Sequence, residues 1–183
     1  MQFDPVEIAL KDGRRAILRS PRVEDAAQML AFLRESTAQT RFLVREPDEA
    51  ERMTLEQEER FVRAQQDDAR GVMLLALVDG QLAGIGHLMP VSGMRRMRHR
   101  CTLAIALLSA YWGLGIGRAM MRAMLETAKG LGYEQAELEV VTANERAVGL
   151  YRSLGFEVCG KLPRNMKYAD GSYADLYTMV RAL

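Results

Sequence analysis

Cysteine is scarce in this sequence, and the cysteines present do not form a metal-binding or disulfide pattern. Only Cys101 and Cys159 occur, each in an apolar segment, together with two histidines. Disulfide-stabilised domains are dense in cysteine, and zinc sites need clustered Cys and His ligands. We therefore expect two buried thiols in a reducing cytoplasm, without a disulfide framework and without a bound metal.

The chain also lacks an excess of charge and a long apolar run. Its 25 Lys and Arg are balanced by 24 Asp and Glu, which leaves a net charge of +1. This balance gives no electrostatic case for nucleic acid or for an acidic membrane surface. The start, Met1 to Pro5, is acidic rather than basic, so we expect neither a signal peptide nor a membrane span. The 183 residues fit one globular domain over 1–183.

Apolar periodicity and turn signals predict an alternation of strands and helices. Asp12-Gly13 and Asp79-Gly80 each lie between two strand-like segments and indicate hairpins. A polar stretch, 37–53, separates the first two helices. Strands are predicted at 6–10, 14–19, 72–78, 82–88, 101–108, 134–141, 156–162 and 173–181, and helices at 23–35, 55–66, 116–129 and between Asn144 and Gly155.

The most informative stretch is the glycine-rich turn from Tyr111 to Ala119, which reads Tyr-Trp-Gly-Leu-Gly-Ile-Gly-Arg-Ala. It follows an apolar strand and opens a helix. Glycine lets the backbone approach a ligand closely, and the first turn of a helix offers unpaired N–H groups at its positive end. The turn therefore indicates either an anion site, most often for phosphate, or an ordinary strand-to-helix connection.

The residues around the turn narrow the choice of phosphate ligand. A P-loop needs Lys and Ser or Thr after its last glycine, but Arg118 and Ala119 follow Gly117 here. A dinucleotide fingerprint needs a small residue where Met120 stands, although acidic residues do follow at about the required distance. The bulky side chain of Met120 carries more weight than the spacing of the acidic residues, and it argues against a dinucleotide.

A second segment, residues 144–156, predicts a short capped helix. Asn144 is a favourable N-cap, four apolar residues share one helix face, and Gly155 with Phe156 provides an end signal. The pattern Asn-x-x-Ala-x-x-Leu-Tyr-x-x-x-Gly-Phe follows a Gly-x-Gly-Ile-Gly-Arg-Ala turn by about thirty residues. Together the two motifs resemble the GNAT superfamily of acyl-CoA-dependent N-acetyltransferases. The resemblance covers the chain from about Arg98 to its end.

The resemblance implies an α+β GNAT fold, with a mixed central sheet of about seven strands and helices on both faces. It implies transfer of an acetyl group from acetyl-CoA to a primary amine of a small molecule, a peptide or a protein by direct attack on the thioester. Dimers are common in that family, so a homodimer is the expected assembly. Two alternatives remain: a non-catalytic acyl-CoA-binding module on the same fold and, more distantly, a nucleotide-dependent oxidoreductase.

The resemblance also implies which residues bind acetyl-CoA. The pantetheine arm would pair with the backbone of the central strand and contact the Asn144 side chain, and Tyr151 would protonate the leaving CoA thiolate. Trp112 departs from the family pattern, which has Gln or Arg there, so one polar contact is in doubt. The residues implied for acetyl-CoA are Ile105, Ala106 and Leu107 of the strand, Gly113, Leu114, Gly115, Ile116, Gly117 and Arg118 of the turn, and Asn144 and Tyr151.

The general base is not determined by the motifs. Glu137 and Glu139 alternate with apolar residues, which usually means that they face water. In a sheet covered on both faces, Glu139 would instead lie in a buried cleft and accept the proton of the acceptor amine, directly or through water. His87 and His99 are the other candidates.

Overall fold

The predicted strands assemble into one sheet of eight strands in the computed structural model, which describes residues 1–183. The spatial order is β1-β2-β3-β4-β5-β6-β8-β7, and every neighbouring pair is antiparallel except β5 and β6, which are parallel. The sheet is mixed, as expected, and its eight strands correspond to the eight predicted from the sequence, one more than the count of about seven that the resemblance implies. The strands are β1 Val6–Ala9, β2 Arg15–Arg19, β3 Val72–Val78, β4 Gln81–Pro90, β5 Arg100–Leu107, β6 Gln135–Val141, β7 Glu157–Lys167 and β8 Tyr173–Ala182.

Five α-helices connect these strands, besides three short 3₁₀ turns: α1 Ala26–Gln39, α2 Pro47–Glu51, α3 Leu55–Asp67, α4 Ile116–Gly130 and α5 Glu145–Ser153. Four of them were predicted. No helix was predicted in the polar stretch 37–53, but it contains the last residues of α1 and the whole of α2, which begins with a proline in its first turn and a capping box formed by Glu46 and Glu49. None of the helices is long and apolar enough to cross a membrane.

Two apolar layers sandwich the sheet. On one face, α4 and α5 pack against a large core that includes Met120, Met124 and Tyr151. On the other face, α1 and α3 pack against a smaller core that includes Met29 and Val62. β3 lies between the two layers and is buried along its whole length, which explains its uninterrupted apolar sequence. Helices thus cover both faces of the sheet, as predicted.

The sheet divides between its two parallel strands. β5 and β6 pair only at their beginnings, from Arg100 with Gln135 to Thr102 with Glu137. Beyond Thr102, β5 pairs with β4 alone, and β6 pairs with β8 alone. The backbone edge of residues 103–107 is therefore left without a strand partner, and the two strands form a wedge that opens toward the glycine-rich turn.

The two thiols lie in different environments. Cys101 is buried in the large core, as predicted, and burial raises its pKa to about 12. Cys159 was predicted to be buried, but it is exposed. It lies on β7, which is the last strand of the sheet and pairs only with β8. An edge strand is covered less well than a central one, so its apolar sequence does not ensure burial.

Candidate functional site

A cleft of about 470 Å³ occupies the wedge between β5 and β6. Its walls are formed by residues 103–107 of β5, by the end of β6, by the start of α5, and by residues 36–44 at the end of α1 and beyond it. Apart from the six residues of the glycine-rich turn, the residues proposed from the sequence to bind acetyl-CoA, together with Glu139, lie along it. These are Ile105, Ala106, Leu107, Glu139, Asn144 and Tyr151.

The glycine-rich turn lies immediately beyond the end of β5 and starts α4. Gly115 is the N-cap of α4 and has a φ of +99°, a left-handed conformation that favours glycine. The first intrahelical bond runs from the Ala119 N–H to the Gly115 carbonyl. The N–H groups of Ile116, Gly117 and Arg118 therefore have no helical partner and point out of the positive end of the helix. This arrangement favours an anion.

The three glycines of the turn have different structural roles. A Cβ added at Gly113 or Gly115 would meet no atom within 4 Å, so both border open space. A Cβ at Gly117 would lie 3.1 Å from Leu107 Cδ1 and 3.4 Å from both Ile105 Cδ1 and Leu150 Cδ2. Gly117 therefore permits close packing of α4 against β5 and α5, and its missing side chain points into the core rather than toward a ligand.

Trp112 has a structural role that the sequence did not reveal. Its indole N–H donates a hydrogen bond of 2.8 Å to the Leu107 carbonyl, at the point where β5 ends. The Arg146 guanidinium lies over the same ring, 5.0 Å from its centroid. Trp112 thereby joins the end of β5 to the start of α5 and holds two sides of the cleft together.

The start of α5 is formed as predicted. Asn144 is the N-cap, and its Oδ1 accepts a hydrogen bond from the Ala147 N–H at 3.2 Å. About two turns further on, the Tyr151 ring is buried against Phe156 with a centroid distance of 6.1 Å in an edge-to-face arrangement. Burial raises the pKa of Tyr151 to about 12. The phenol thus remains protonated across the neutral pH range.

The two acidic residues of β6 differ although they share a face. Glu137 forms an ion pair with Arg100, and this hydrogen bonding lowers the pKa of Glu137. Glu139 lines the cleft beyond the last paired residue of the two parallel strands. We expected a buried carboxylate here, but Glu139 is exposed. Because the wedge is open on this side, solvent reaches the middle of β6.

The two histidines lie at different distances from the cleft. The His99 carbonyl accepts the N–H groups of Glu134 and Gln135, so His99 sits at the closed end of the wedge, at the opposite end of β5 from the glycine-rich turn. His87 lies on β4 directly opposite Ala104. Burial lowers the pKa of His87 to about 4, which leaves the imidazole neutral at pH 7.

A second cavity of about 370 Å³ adjoins the cleft on the face of the sheet covered by α1 and α3. It is mostly apolar, and residues 104–106 of β5 line both spaces. His87 and Phe61 form part of its wall, with their rings stacked at a centroid distance of 5.7 Å. Nothing in the sequence indicated this cavity, because its walls come from segments that lie far apart along the chain.

The sequence profile of the acetyltransferase (GNAT) family matches residues 30–156. The chain belongs to the GNAT family. The match spans more than half of the sequence and includes the glycine-rich turn, the cleft and α5. The resemblance inferred from the two motifs is confirmed.

Solved and curated GNAT proteins agree with this assignment. A GNAT-family acetyltransferase from Streptococcus pneumoniae superposes with a TM-score of 0.85 at 30% identity, over 92% of this chain and 99% of that one. The L-amino acid N-acetyltransferase AaaT of Escherichia coli is 34% identical over 59% of this chain and 66% of its own length. The N-alpha-acetyltransferase RimI of Mycobacterium tuberculosis is 46% identical over 39% of this chain and 42% of its own. The match thus covers about two thirds of the length of the Escherichia coli relative and less than half of that of the Mycobacterium tuberculosis relative.

Proposed function

We propose that this GNAT protein transfers an acetyl group from acetyl-CoA to a primary amine. The observation that carries the proposal is the wedge between β5 and β6, which leaves a free strand edge that leads directly to an anion-binding helix start. A cofactor with amide groups in its arm and a pyrophosphate at its end matches that sequence of features. Family membership and the names of the two curated relatives support the same activity.

In this proposal the protein backbone binds most of the cofactor. The amides of the pantetheine arm pair with Ile105, Ala106 and Leu107, much as an added strand extends a sheet. The pyrophosphate lies against the turn formed by Gly113, Leu114, Gly115, Ile116, Gly117 and Arg118, where helix N–H groups are unpaired. Asn144 uses its side-chain Oδ1 to cap α5, so its NH₂ group remains for the arm.

The chemical step is attack of the amine nitrogen on the thioester carbonyl. A C–N bond forms, the C–S bond breaks, the amine loses a proton and the CoA sulfur gains one. Tyr151 stands in the cleft with a phenol that keeps its proton at neutral pH. The pKa of the Tyr151 phenol, about 12, lies roughly 3.5 units above the pKa of a free thiol. Full transfer of the phenol proton to the CoA thiolate is therefore uphill by about 5 kcal/mol. Tyr151 therefore stabilises the departing sulfur chiefly by donating a hydrogen bond, and the thiolate takes its proton from water.

Glu139 is the proposed base. An alkyl ammonium with a pKa of about 10.4 is almost fully protonated at pH 7 and cannot attack until it loses its proton. Glu139 is the carboxylate of β6 that faces the open part of the wedge, and its exposure favours removal of the proton through an intervening water. Glu137 is less suited to this task because it is engaged by Arg100.

The acceptor is an amine of a small molecule, a peptide or a protein. The cytoplasm remains the predicted location. A homodimer remains the predicted assembly, and sedimentation of the purified protein would test it. The experiment for the function itself is an acceptor screen that follows CoA release from acetyl-CoA and identifies the acetylated product by mass. Release that depends on an amine supports an N-acetyltransferase. Tight binding of acetyl-CoA without release for any amine would support the non-catalytic module instead.

A further inference from the structure

The second cavity contains two polar groups that the proposed reaction does not use. Glu58, in the first turn of α3, is only 7% exposed, and its carboxylate has neither a hydrogen bond nor an ion pair. His87 Nε2 is buried and also has no hydrogen-bonding partner. Buried polar groups in folded proteins are nearly always paired, so the unpartnered His87 Nε2 and a largely buried carboxylate in the same cavity require an explanation.

The carboxylate is costly to keep at this position. Burial raises the pKa of Glu58, and the one charged group that opposes this effect is Arg45. Arg45 lines the same cavity, but its side chain is exposed and forms no ion pair with Glu58. A charged group that is largely withdrawn from water and has no close partner destabilises the fold. A bound cation would supply the missing partner.

The rest of the cavity is suited to hydrocarbon. Met29, Phe32, Phe61, Met73 and Ile85 form its walls. Its volume of about 370 Å³ lies near the lower end of small-molecule sites, which span roughly 300–1,000 Å³. The ligand that fits is therefore small, largely apolar and positively charged at one point.

The cavity opens where an acceptor must approach the cofactor. Residues 104–106 line both the cavity and the cleft, and His87 and Ile85 lie on the neighbouring strand opposite Ala104 and Ala106. A molecule held in the cavity would therefore reach the strand along which the pantetheine arm is proposed to lie.

We propose that this cavity selects the acceptor, which is a primary amine bearing an apolar side chain, and that Glu58 binds its ammonium group. This inference rests on the proposed acetyl transfer. The side chain fills the space between α1, α3 and the sheet, and the ammonium gives Glu58 the partner that the protein itself does not provide. Glu58 is a binding residue in this account: it holds the ammonium before the reaction, and the nitrogen gives its proton through water to Glu139, which remains the base, before it attacks the thioester.

The test compares amines that share an ammonium group and differ in side chain. Leucine and methionine, each as the free acid and as the amide, are compared with the same two forms of glycine, glutamate and ornithine. We expect kcat/KM for leucine or methionine to exceed that for glycine at least tenfold. Equal values, or a preference for the acidic side chain of glutamate or the cationic side chain of ornithine, would overturn the inference while leaving acetyl transfer intact.

Glu58→Gln gives the second arm of the test. It should raise KM for the preferred amine at least tenfold, as expected for loss of a hydrogen bond to a charged group, and leave the KM for acetyl-CoA unchanged. Glu56→Gln, at an exposed position in the same turn of α3, is the matched control and should match the wild type. Calorimetry of leucine amide with the CoA-loaded protein provides a readout that does not need turnover. If acetyl-CoA binds but neither binding nor acetylation of leucine or methionine occurs in either form, the inference fails.

Stability separates a binding role from a structural one. A carboxyl group whose folded pKa is raised destabilises the protein above its unfolded pKa, and this cost disappears as the pH falls below that value. Glu58→Gln should therefore melt at a higher temperature than the wild type at pH 7 and lose this advantage near pH 4. A variant that is less stable at pH 7 would show that Glu58 supports the fold, with Arg45 or His87 as its partner, and would refute the proposal.

Discussion

Replacement of Gly117 by valine tests how the glycine-rich turn is built. The sequence suggested that a side chain at this position would occupy space needed by phosphate. In the structure, a Cβ there lies 3.1 Å from Leu107 Cδ1 and 3.4 Å from Ile105 Cδ1 and Leu150 Cδ2, with two more methyl groups still to be placed. The added side chain must push α4 away from β5 and α5.

The expected magnitude follows from the cost of overpacking a core, which is about 1–3 kcal/mol. For a domain of this size, each kcal/mol lowers Tm by about 2–4 °C, so Gly117→Val should lower Tm by about 2–12 °C. The shift also moves Ile105 and Leu107, which form the strand edge proposed for the pantetheine arm. Affinity for acetyl-CoA should therefore fall at least tenfold, which corresponds to about 1.4 kcal/mol.

Calorimetry of unfolding and of acetyl-CoA binding measures the two effects on the same samples. Gly130→Val is the control, because Gly130 lies in the last turn of the same helix and a Cβ there meets no atom within 4 Å. A Gly117→Val protein with an unchanged Tm and a lost affinity would refute the packing explanation. That result would place the valine in ligand space, as the sequence alone suggested.

Three further predictions concern single side chains. Tyr151→Phe keeps the packing of the ring and removes the hydrogen-bond donor, so steady-state kinetics should show kcat lowered by about 10²–10³ with acetyl-CoA affinity unchanged. An unaffected kcat would make Tyr151 only a core residue. Glu139→Gln should lower kcat/KM at pH 7, and part of the loss should be recovered at higher pH, where free amine becomes available. Glu145→Gln in the same cleft is the control and should match the wild type. A wild-type pH profile for Glu139→Gln would exclude Glu139 as the base. His87 has a folded pKa of about 4 against about 6.5 when unfolded, so it destabilises the fold progressively as the pH falls from 6.5 to 4, by up to about 3 kcal/mol. Urea unfolding of wild type and His87→Gln at pH 7 and pH 4.5 should show the wild type losing more stability, and parallel losses would contradict the assigned pKa.

The parts of the fold that were predicted correctly are marked by short sequence patterns within the element itself. The start of α5 was predicted from Asn144, and the hairpin between β3 and β4 from Asp79-Gly80, whose two residues both have positive φ as a type I′ turn requires. The five-residue helix α2 was missed because it is too short to show a helical period. Its proline and its Glu46–Glu49 capping box were visible in the sequence.

The predictions that were wrong, and the features that were missed, depend on contacts between segments that lie far apart in the sequence. Glu139 and Cys159 were both expected to be buried, because alternation along a strand cannot show that the sheet opens at a wedge or that a strand lies at its edge. Similarly, spacing alone could not distinguish Gly117, which faces the core, from Gly115, which faces open space. The second cavity joins Met29 and Phe61 to β4 and β5, and no local pattern connects them.

Amide hydrogen exchange with and without acetyl-CoA tests the central claim most directly. The account predicts slower exchange in peptides covering residues 103–107 and 113–118 when acetyl-CoA is bound. Peptides from β1 and β7, at the two edges of the sheet, should be unchanged and serve as internal controls. Bound acetyl-CoA that leaves both cleft peptides unprotected, or that protects only α1 and α3, would contradict the claim that the wedge between β5 and β6 holds the cofactor.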